Sequence, residues 1–301
     1  MSRFRKREQQ TEVTVVAAPT ERRRFILFGR RYIENTPYML PSDDQEINRL
    51  DFQHYMLRYA LRGNYAAPVG QPRAILDVGA GTGRWALEMA QRFPQAKVIG
   101  LDIVSPPGEE KAHAGREGRP GNYTFVQADI LSGLPFPDAS FDFVHQRLVF
   151  LAVPTARFQG VVNELARVTR PGGWVELVEG GGLSQSSGDA VQTWLRWMGA
   201  ASAQRGIDSR QGSQIGQFLV AAKLQHVHTR EFLLPAGQHG GRLGTMLATN
   251  FYAIIEAFRA PIVTTGVATE QAYEEIAQAV RKDVAEGRCF WPVYVAYGQR
   301  A

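Results

Sequence analysis

The stretch Ala74–Ala90, "AILDVGAGTGRWALEMA", decides how the rest of the chain is read. A β-rich run breaks into glycines at alternate positions, Gly79, Gly81 and Gly83. It then turns helical, with Trp85, Met89 and Phe93 at helical spacing. The spacing predicts a strand, a tight turn and a helix. Glycines at such a turn let the backbone approach a ligand closely, and in an open parallel sheet ligands bind beyond the carboxyl ends of the strands where the strand order reverses. The dinucleotide fingerprint G-x-G-x-x-G is not met, because the turn reads "GAGTG" with Arg84 at the third fingerprint position.

Downstream of Pro72, short β-rich runs alternate with helical stretches, the pattern of parallel strands joined by crossover helices. Predicted strands are "AILDVG" from Ala74, "KVIGLD" from Lys97, "YTFVQAD" from Tyr123, "FDFVHQ" from Phe141, "WVELVE" from Trp174, "VHTREFLL" from Val227 and "VYVAYGQR" from Val293. Pro292 removes a ladder donor, so the last strand is expected to begin after it or to carry a bulge. The clearest helix is "RFQGVVNELARVT", with Phe158, Val161, Val162, Leu165 and Val168 on one side. The expected fold class is α/β, a doubly wound sheet.

Upstream, the first 24 residues are expected to form a basic, flexible tail, and residues 25–70 a helical lid segment. Residues 71–301 are expected to form the main domain, with helical insertions at about 183–219 and 237–288 that overhang the strand ends. In the lid, Ser42 is expected to open a helix as a capping box with Gln45, running to about Gly63 with Ile47, Leu50, His54, Leu57 and Leu61 on its apolar seam. His54 reads most simply as a core histidine. The apolar segment "FILFGRRYI" offers a surface for self-association into a homo-oligomer, or folds back on its own sheet.

Composition narrows the class of function. The 301 residues are 44% hydrophobic and 21% charged, ordinary for a globular chain, and no apolar run approaches the ~20 residues of a membrane helix. No membrane association is expected. The lone Cys289 fits a reducing, cytoplasmic setting and excludes a disulfide framework or a multi-cysteine metal site. Net charge is +5, but beyond "RFRKR" and Arg22–Arg24 the arginines are interspersed with acids. A groove for nucleic acid would interleave basic and aromatic residues, so no nucleic-acid partner is expected. The six histidines include one close pair, His226 and His228, with no ligand set around them, and no metal site is expected.

The strand ends then supply a pocket. Asp102 ends the second strand, where a carboxylate accepts both hydroxyls of a ribose, as suits NAD or an adenosyl sulfonium alike. Asp129 ends the third strand with Ile130 beside it, one to accept from an exocyclic amine and the other to pack on an adenine face. Gln146 ends the fourth strand, within reach of an amino-acid tail. Taken in strand order, the set describes a pocket for an adenosine bearing an amino-acid tail, although each acid alone could equally cap a turn or helix.

On "LDVGAGTGRW", "VIGLDI", "VQADI", "LPFPDASFDFVHQRL" and "RVTRPGGWVELVE", in that order, the chain resembles the class I S-adenosylmethionine-dependent methyltransferases. "TPYMLPSDDQEINRLDFQH" is similar to the subgroup holding the LaeA-like regulators and the tailoring methyltransferases of secondary metabolism. The resemblance implies a Rossmann-like sheet of seven strands with a final antiparallel strand, S-adenosyl-L-methionine as cofactor and S-adenosyl-L-homocysteine as product. It also implies that Asp77, Gly79, Gly81 and Gly83 line the methionine moiety, that Asp102 with Ile103 beside it holds the ribose, and that Asp129 and Ile130 hold the adenine. In that subgroup the lid folds over the cofactor, which makes Tyr38 a candidate to cover it.

For the chemistry, His145 and Glu179, at or near the ends of the fourth and fifth strands, are candidate bases if the acceptor must lose a proton, with His239 behind them. Strand alternation points His145 and Gln146 to opposite faces, so a regular strand sends only one of them into the pocket. Insertions rich in Trp194, Trp197, Met198, Met246, Phe251, Tyr252 and Phe258 suit a small, hydrophobic acceptor of natural-product type. A non-catalytic, cofactor-binding regulator of the LaeA-like type is the alternative, and a nicotinamide oxidoreductase is disfavoured by the glycine spacing and by Asp129.

Overall fold

The computed structural model of the chain describes residues 23–106, 120–181 and 187–301. Most of the expected basic tail therefore lies outside the described residues, as does the glycine at 182. The first element among the described residues is a hairpin that the sequence reading did not contain. It comprises β1 (Arg24–Leu27) and β2 (Arg30–Ile33), paired antiparallel through a two-residue turn at Phe28 and Gly29. Both turn residues have positive φ, 48° and 71°, as a turn matched to the twist of its strands requires.

Helix α1 (Asp44–Ala60) follows, and its cap differs from the expected one. Asp43, not Ser42, is extended and accepts from the Glu46 amide at 3.0 Å, because Asp43 is also held by the Arg30 guanidinium at 2.7 and 2.9 Å. The helix stops at Ala60 rather than near Gly63, and its buried face shares only His54 and Leu57 with the expected seam. Glu46, Arg49, Gln53, His54, Met56 and Leu57 are buried, whereas Ile47 and Leu50 are half-buried.

The sheet is then assembled from β3 (Ala74–Val78), α2 (Arg84–Arg92), β4 (Lys97–Asp102), β5 (Tyr123–Gln127), β6 (Phe141–Arg147), α3 (Thr155–Val168) and β7 (Thr169–Gly180). Beyond it come α4 (Asp189–Ala203), α5 (Ile215–Ala221), β8 (Gln225–Pro235), α6 (Gly241–Thr264), α7 (Glu270–Ala285) and β9 (Phe290–Gln299). Strand order is β5-β4-β3-β6-β7-β9-β8, parallel except for β9, which runs antiparallel to both neighbours. This is the seven-stranded doubly wound sheet. The order reverses between β3 and β6, at the glycine turn.

Alternation along β3 divides the core into two layers, as a strand buried on both faces must. Ile75 packs with Trp85, Met89 and Phe93 of the α2 side, while Leu76 and Val78 pack with Phe158, Val162 and Leu165 of α3. A third cluster joins Met56 and Leu57 of α1 to Trp194, Ile255, Phe258, Tyr273 and Val293, so α4, α6 and α7 share a core with α1 at one end of the sheet. The expected insertion over 183–219 divides at this point. Within it α4 belongs to that helical cluster, but α5 packs Ile215 and Leu219 into the layer of α3.

Pro292 lies inside β9 rather than before it, opposite Leu233 of β8. Its carbonyl accepts from the Gly181 amide at 2.7 Å, at the end of the β7 pairing just past Gly180–Val293, so the donor that proline lacks falls where the ladder ends.

Candidate active site

At the carboxyl ends of β3, β4 and β6 the fold leaves a cavity of about 490 Å³, walled on the far side by α1 and the α4 and α6 helices. Gly79 and Gly81 lie on its floor. Gly79 has φ +71°, and a Cβ there would sit 2.4 Å from a Val149 methyl, so turn and neighbour both demand glycine. At Gly81 a Cβ would point into open space, with only a Leu50 methyl at 3.9 Å, which leaves the peptide surface open to a ligand. Gly83 does not line the cavity. It begins α2 at φ +76°, where a Cβ would press on the Tyr123 hydroxyl at 3.0 Å.

The expected carboxylates are brought together. Asp77, Asp102, Ile103, Asp129 and Ile130 all line the same cavity, in the order given by strands β3, β4 and β5. Asp102 Oδ2 accepts from the Gly81 amide at 2.8 Å and Oδ1 from the Val104 amide at 3.1 Å, which binds the acid to the glycine turn. Burial raises its pKa, and the backbone donors only partly offset that. Asp129 caps the short turn Ile130–Ser132 through the Leu131 amide at 2.9 Å. The capping role and the cavity position coexist.

His145, Gln146 and Glu179 do not line the cavity. His145 is fully buried behind it, stacked on Trp85 at 3.9 Å and 3° and bonded through Nδ1 to Asp77 Oδ1 at 3.1 Å. Burial lowers its pKa against the opposing pull of Asp77, so the ring is neutral and steadies Asp77. Glu179 is fully buried and accepts from the Val149 amide at 3.0 Å. Desolvation pushes its pKa up to about 8, and the backbone donors of Val149 and Phe150 and the neighbouring Gln146 amide work against the rise. The exposed His239 lies outside the cavity, and His226 and His228 are exposed on β8.

What sequence reasoning missed lies on α1 and at the tip of β6. Glu46, Arg49 and Gln53 of α1 and Asn250 of α6 line the cavity, together with Tyr38, the residue expected to cover the cofactor. Arg49 forks onto Glu46 at 2.6 and 2.9 Å and reaches the Asn250 amide oxygen at 3.3 Å, tying α1 to α6. Burial, then the Glu46 charge, raises the Tyr38 phenol, which stays protonated and can donate. Asn250 lies far along the chain from Glu46 and Arg49, so periodicity carries no signal for the cluster. Arg147 lines the cavity too, with Nη2 donating to His54 Nδ1 at 2.9 Å. Burial, followed by the Arg147 charge, lowers His54 to about 4, so the ring is neutral and its Nε2 faces Glu88 Oε2 at 3.3 Å. Of the expected aromatic cap, Trp194, Met198, Phe251 and Phe258 line the cavity, whereas Trp197, Met246 and Tyr252 pack around the helices without reaching it.

The fold and this cavity define a doubly wound α/β protein with a ligand cleft at its switch point. The family described as a methyltransferase domain matches residues 75–173. "N-methyltransferase sirN" of Leptosphaeria maculans is 30% identical over 238 residues, spanning 74% of this chain and 79% of that protein. "Methyltransferase str2" of Strobilurus tenacellus is 29% identical over 267 residues, 83% of this chain and 92% of that protein. "Secondary metabolism regulator LAE1" of Cochliobolus heterostrophus is 34% identical over 173 residues, 54% of this chain and 52% of that protein. The chain belongs to the methyltransferase family, enzymes that take their methyl group from S-adenosylmethionine. Among the described residues no helix is long and apolar enough to cross a membrane.

Proposed function

We propose that the chain transfers a methyl group from S-adenosylmethionine to a small, largely apolar acceptor of natural-product type, held between the glycine turn and the α4 and α6 helices. The observation that carries this reading is the convergence of Asp77, Asp102 and Asp129 with the open face of Gly81 on one cavity whose α4 and α6 wall is largely aromatic and aliphatic. In this reading the peptide at Gly79 and Gly81 and the carboxylate of Asp77 cradle the amino-acid portion of the cofactor. Asp102 accepts from the ribose hydroxyls with its unused lone pairs, and Asp129 and Ile130 bracket the adenine. The cofactor supplies a methyl group already activated on a sulfonium, so positioning and exclusion of water are the protein's main tasks.

Trp194, Met198, Phe251, Phe258 and Trp291 form the dry wall for the acceptor. Tyr38, Glu46 and Asn250 present it with a donor and acceptors, so an acceptor bearing one hydroxyl or amine on an apolar frame fits best. His145 and Glu179 act from behind the cleft, as supports for Asp77 and for the Val149 amide. Cytoplasmic residence and self-association through the β1–β2 hairpin belong to the same proposal: Cys289 is a free thiol, and Phe25, Ile26 and Phe28 of the hairpin are exposed.

Calorimetry tests the cofactor site. S-adenosylhomocysteine should bind and NADH should not, and Asp102→Ala should weaken S-adenosylhomocysteine by about 1–3 kcal/mol through lost charge-assisted hydrogen bonds. Unchanged affinity would remove Asp102 from the site. The likeness to the regulator LAE1 favours a second reading, cofactor binding without turnover. Methyl transfer to any member of a panel of apolar aromatic and terpenoid acceptors decides for the enzyme, and binding with no turnover across the panel decides for the regulator.

A further inference from the structure

Arg147 ends β6, one strand beyond the glycine turn, and lines the cavity. Among the described residues no ion pair ties it to a carboxylate. Its one side-chain partner is the neutral imidazole of His54, at 2.9 Å. Three carboxylates surround it and attract it from a distance, Asp77, Glu88 and Glu176. Each is committed elsewhere. Asp77 Oδ1 is held by His145 at 3.1 Å, and Glu176 Oε2 accepts from the Ala66 and Ala67 amides at 2.7 Å each. Glu88 takes Arg58 at 2.6 Å, Asn64 at 2.9 Å and His54 at 3.3 Å. Arg49, across the cavity, is likewise committed to Glu46 and Asn250.

A planar fork of five N–H donors, one of them used, is thus held at the cavity wall by His54, whose Nε2 lies 3.3 Å from Glu88. The guanidinium is half-buried, and its free donors suit an anion entering the cavity. Strand order says where that anion comes from. Asp129, Asp102 and Gly79 follow β5, β4 and β3, and Arg147 is the next cavity residue in the row, on β6. A ligand laid with its adenine at β5 and its ribose at β4 places its amino-acid tail past β3.

We propose that Arg147 is the carboxylate anchor of the cofactor's amino-acid tail, and that His54 is a positioning residue that aims the guanidinium. The inference rests on the cofactor reading above and adds to it a residue outside the glycine turn. It also makes His54 more than a packed core histidine: its Nδ1 must accept from Arg147, which fixes the tautomer with Nε2–H toward Glu88.

The test pairs a change in the protein with a change in the ligand. Calorimetry of wild type and Arg147→Met is run with S-adenosylhomocysteine and with 5′-methylthioadenosine, which lacks the amino-acid tail. Arg147→Met should weaken S-adenosylhomocysteine about 10- to 100-fold, and 5′-methylthioadenosine by less than about 2-fold. Equal losses for both ligands, the signature of a merely structural arginine, would overturn the proposal. So would an unchanged affinity for S-adenosylhomocysteine, which would assign the guanidinium to an anionic acceptor instead. Should Arg147→Met fail to fold, wild type is titrated with the carboxamide of S-adenosylhomocysteine, which should bind about 10- to 100-fold more weakly than the acid. Equal binding of amide and acid overturns the anchor. Failure of wild type to bind S-adenosylhomocysteine at all sinks the cofactor reading and the anchor together, whereas the other adverse outcomes sink the anchor alone.

Discussion

Glu176 sits in the middle of the sheet with no exposure, one oxygen on the Ala66 and Ala67 amides and the other facing His145 Nε2 at 3.9 Å. Burial outweighs the two amide donors and the Arg147 charge and pushes its pKa up to about 7. A carboxyl whose pKa is raised on folding holds its proton more tightly in the folded chain. Stability contributed by that proton is complete below the ordinary value near 4.5 and is lost as pH climbs toward 7, because over that window the unfolded chain binds fewer protons. Glu176→Gln removes the titration while keeping an acceptor for the two amides. Urea melts should show the variant gaining on wild type between pH 5 and pH 8, with a ceiling on the order of 3 kcal/mol. A difference independent of pH would mean that Glu176 stays ionised in the folded chain. At this scale the sequence spoke clearly where chemistry tracks strand ends: Asp102 and Asp129 were legible because each closes a β-rich run, whereas Asp77, inside β3, came only with the family resemblance. Arg147 and the Glu46–Arg49–Asn250 cluster were not. Their partners come from distant segments, and a charged residue on a helix face otherwise reads as solvated.

Elements were read well when periodicity was long and less well when one side chain served two masters. Asp43 shows why. It caps α1 through the Glu46 amide and simultaneously anchors β2 through Arg30, which a capping pattern scored along one helix does not register. Partial burial would raise its pKa, but the Arg30 hydrogen bond and the Glu46 and Arg31 amides prevail and hold it at about 2. Its contribution is therefore present above pH 3.8 and fades as pH falls toward 2. Asp43→Ala should cost about 1–2 kcal/mol at neutral pH, and Asp43→Asn, which keeps the cap and loses the charge, should recover part of that. Chemical denaturation of the two variants checks the ranking; equal losses would assign the whole effect to the ion pair. The β1–β2 hairpin escaped notice because its turn is Phe28–Gly29 rather than an asparagine–glycine pair, and because its four-residue strands are too short to show an apolar alternation.

Across the whole molecule, the sheet and the helical cluster above it are separate cores joined at the cleft. Trp194 of α4 donates to the Tyr273 hydroxyl of α7 at 3.1 Å, and that hydroxyl donates to the Ile255 carbonyl of α6, so a three-helix lock stands behind the acceptor wall. The seven-stranded sheet and its antiparallel last strand were implied by the resemblance, but the division of the two insertions between cap and sheet layer was not, since amphipathic helices look alike whichever core they face. Strand β9 carries a consequence for how the chain reaches this state. β8 pairs with nothing but β9 among the described strands, and β9 is made after it, so during synthesis on a ribosome β8 waits as an unpaired strand until β9 has emerged. The block β5-β4-β3-β6-β7 closes without it, and the late, long-range insertion of β9 becomes the natural kinetic bottleneck. Pulse-labelled hydrogen exchange during refolding should find β8 amides protected only together with those of β9, after β3 and β6; early protection of β8 would refute that order.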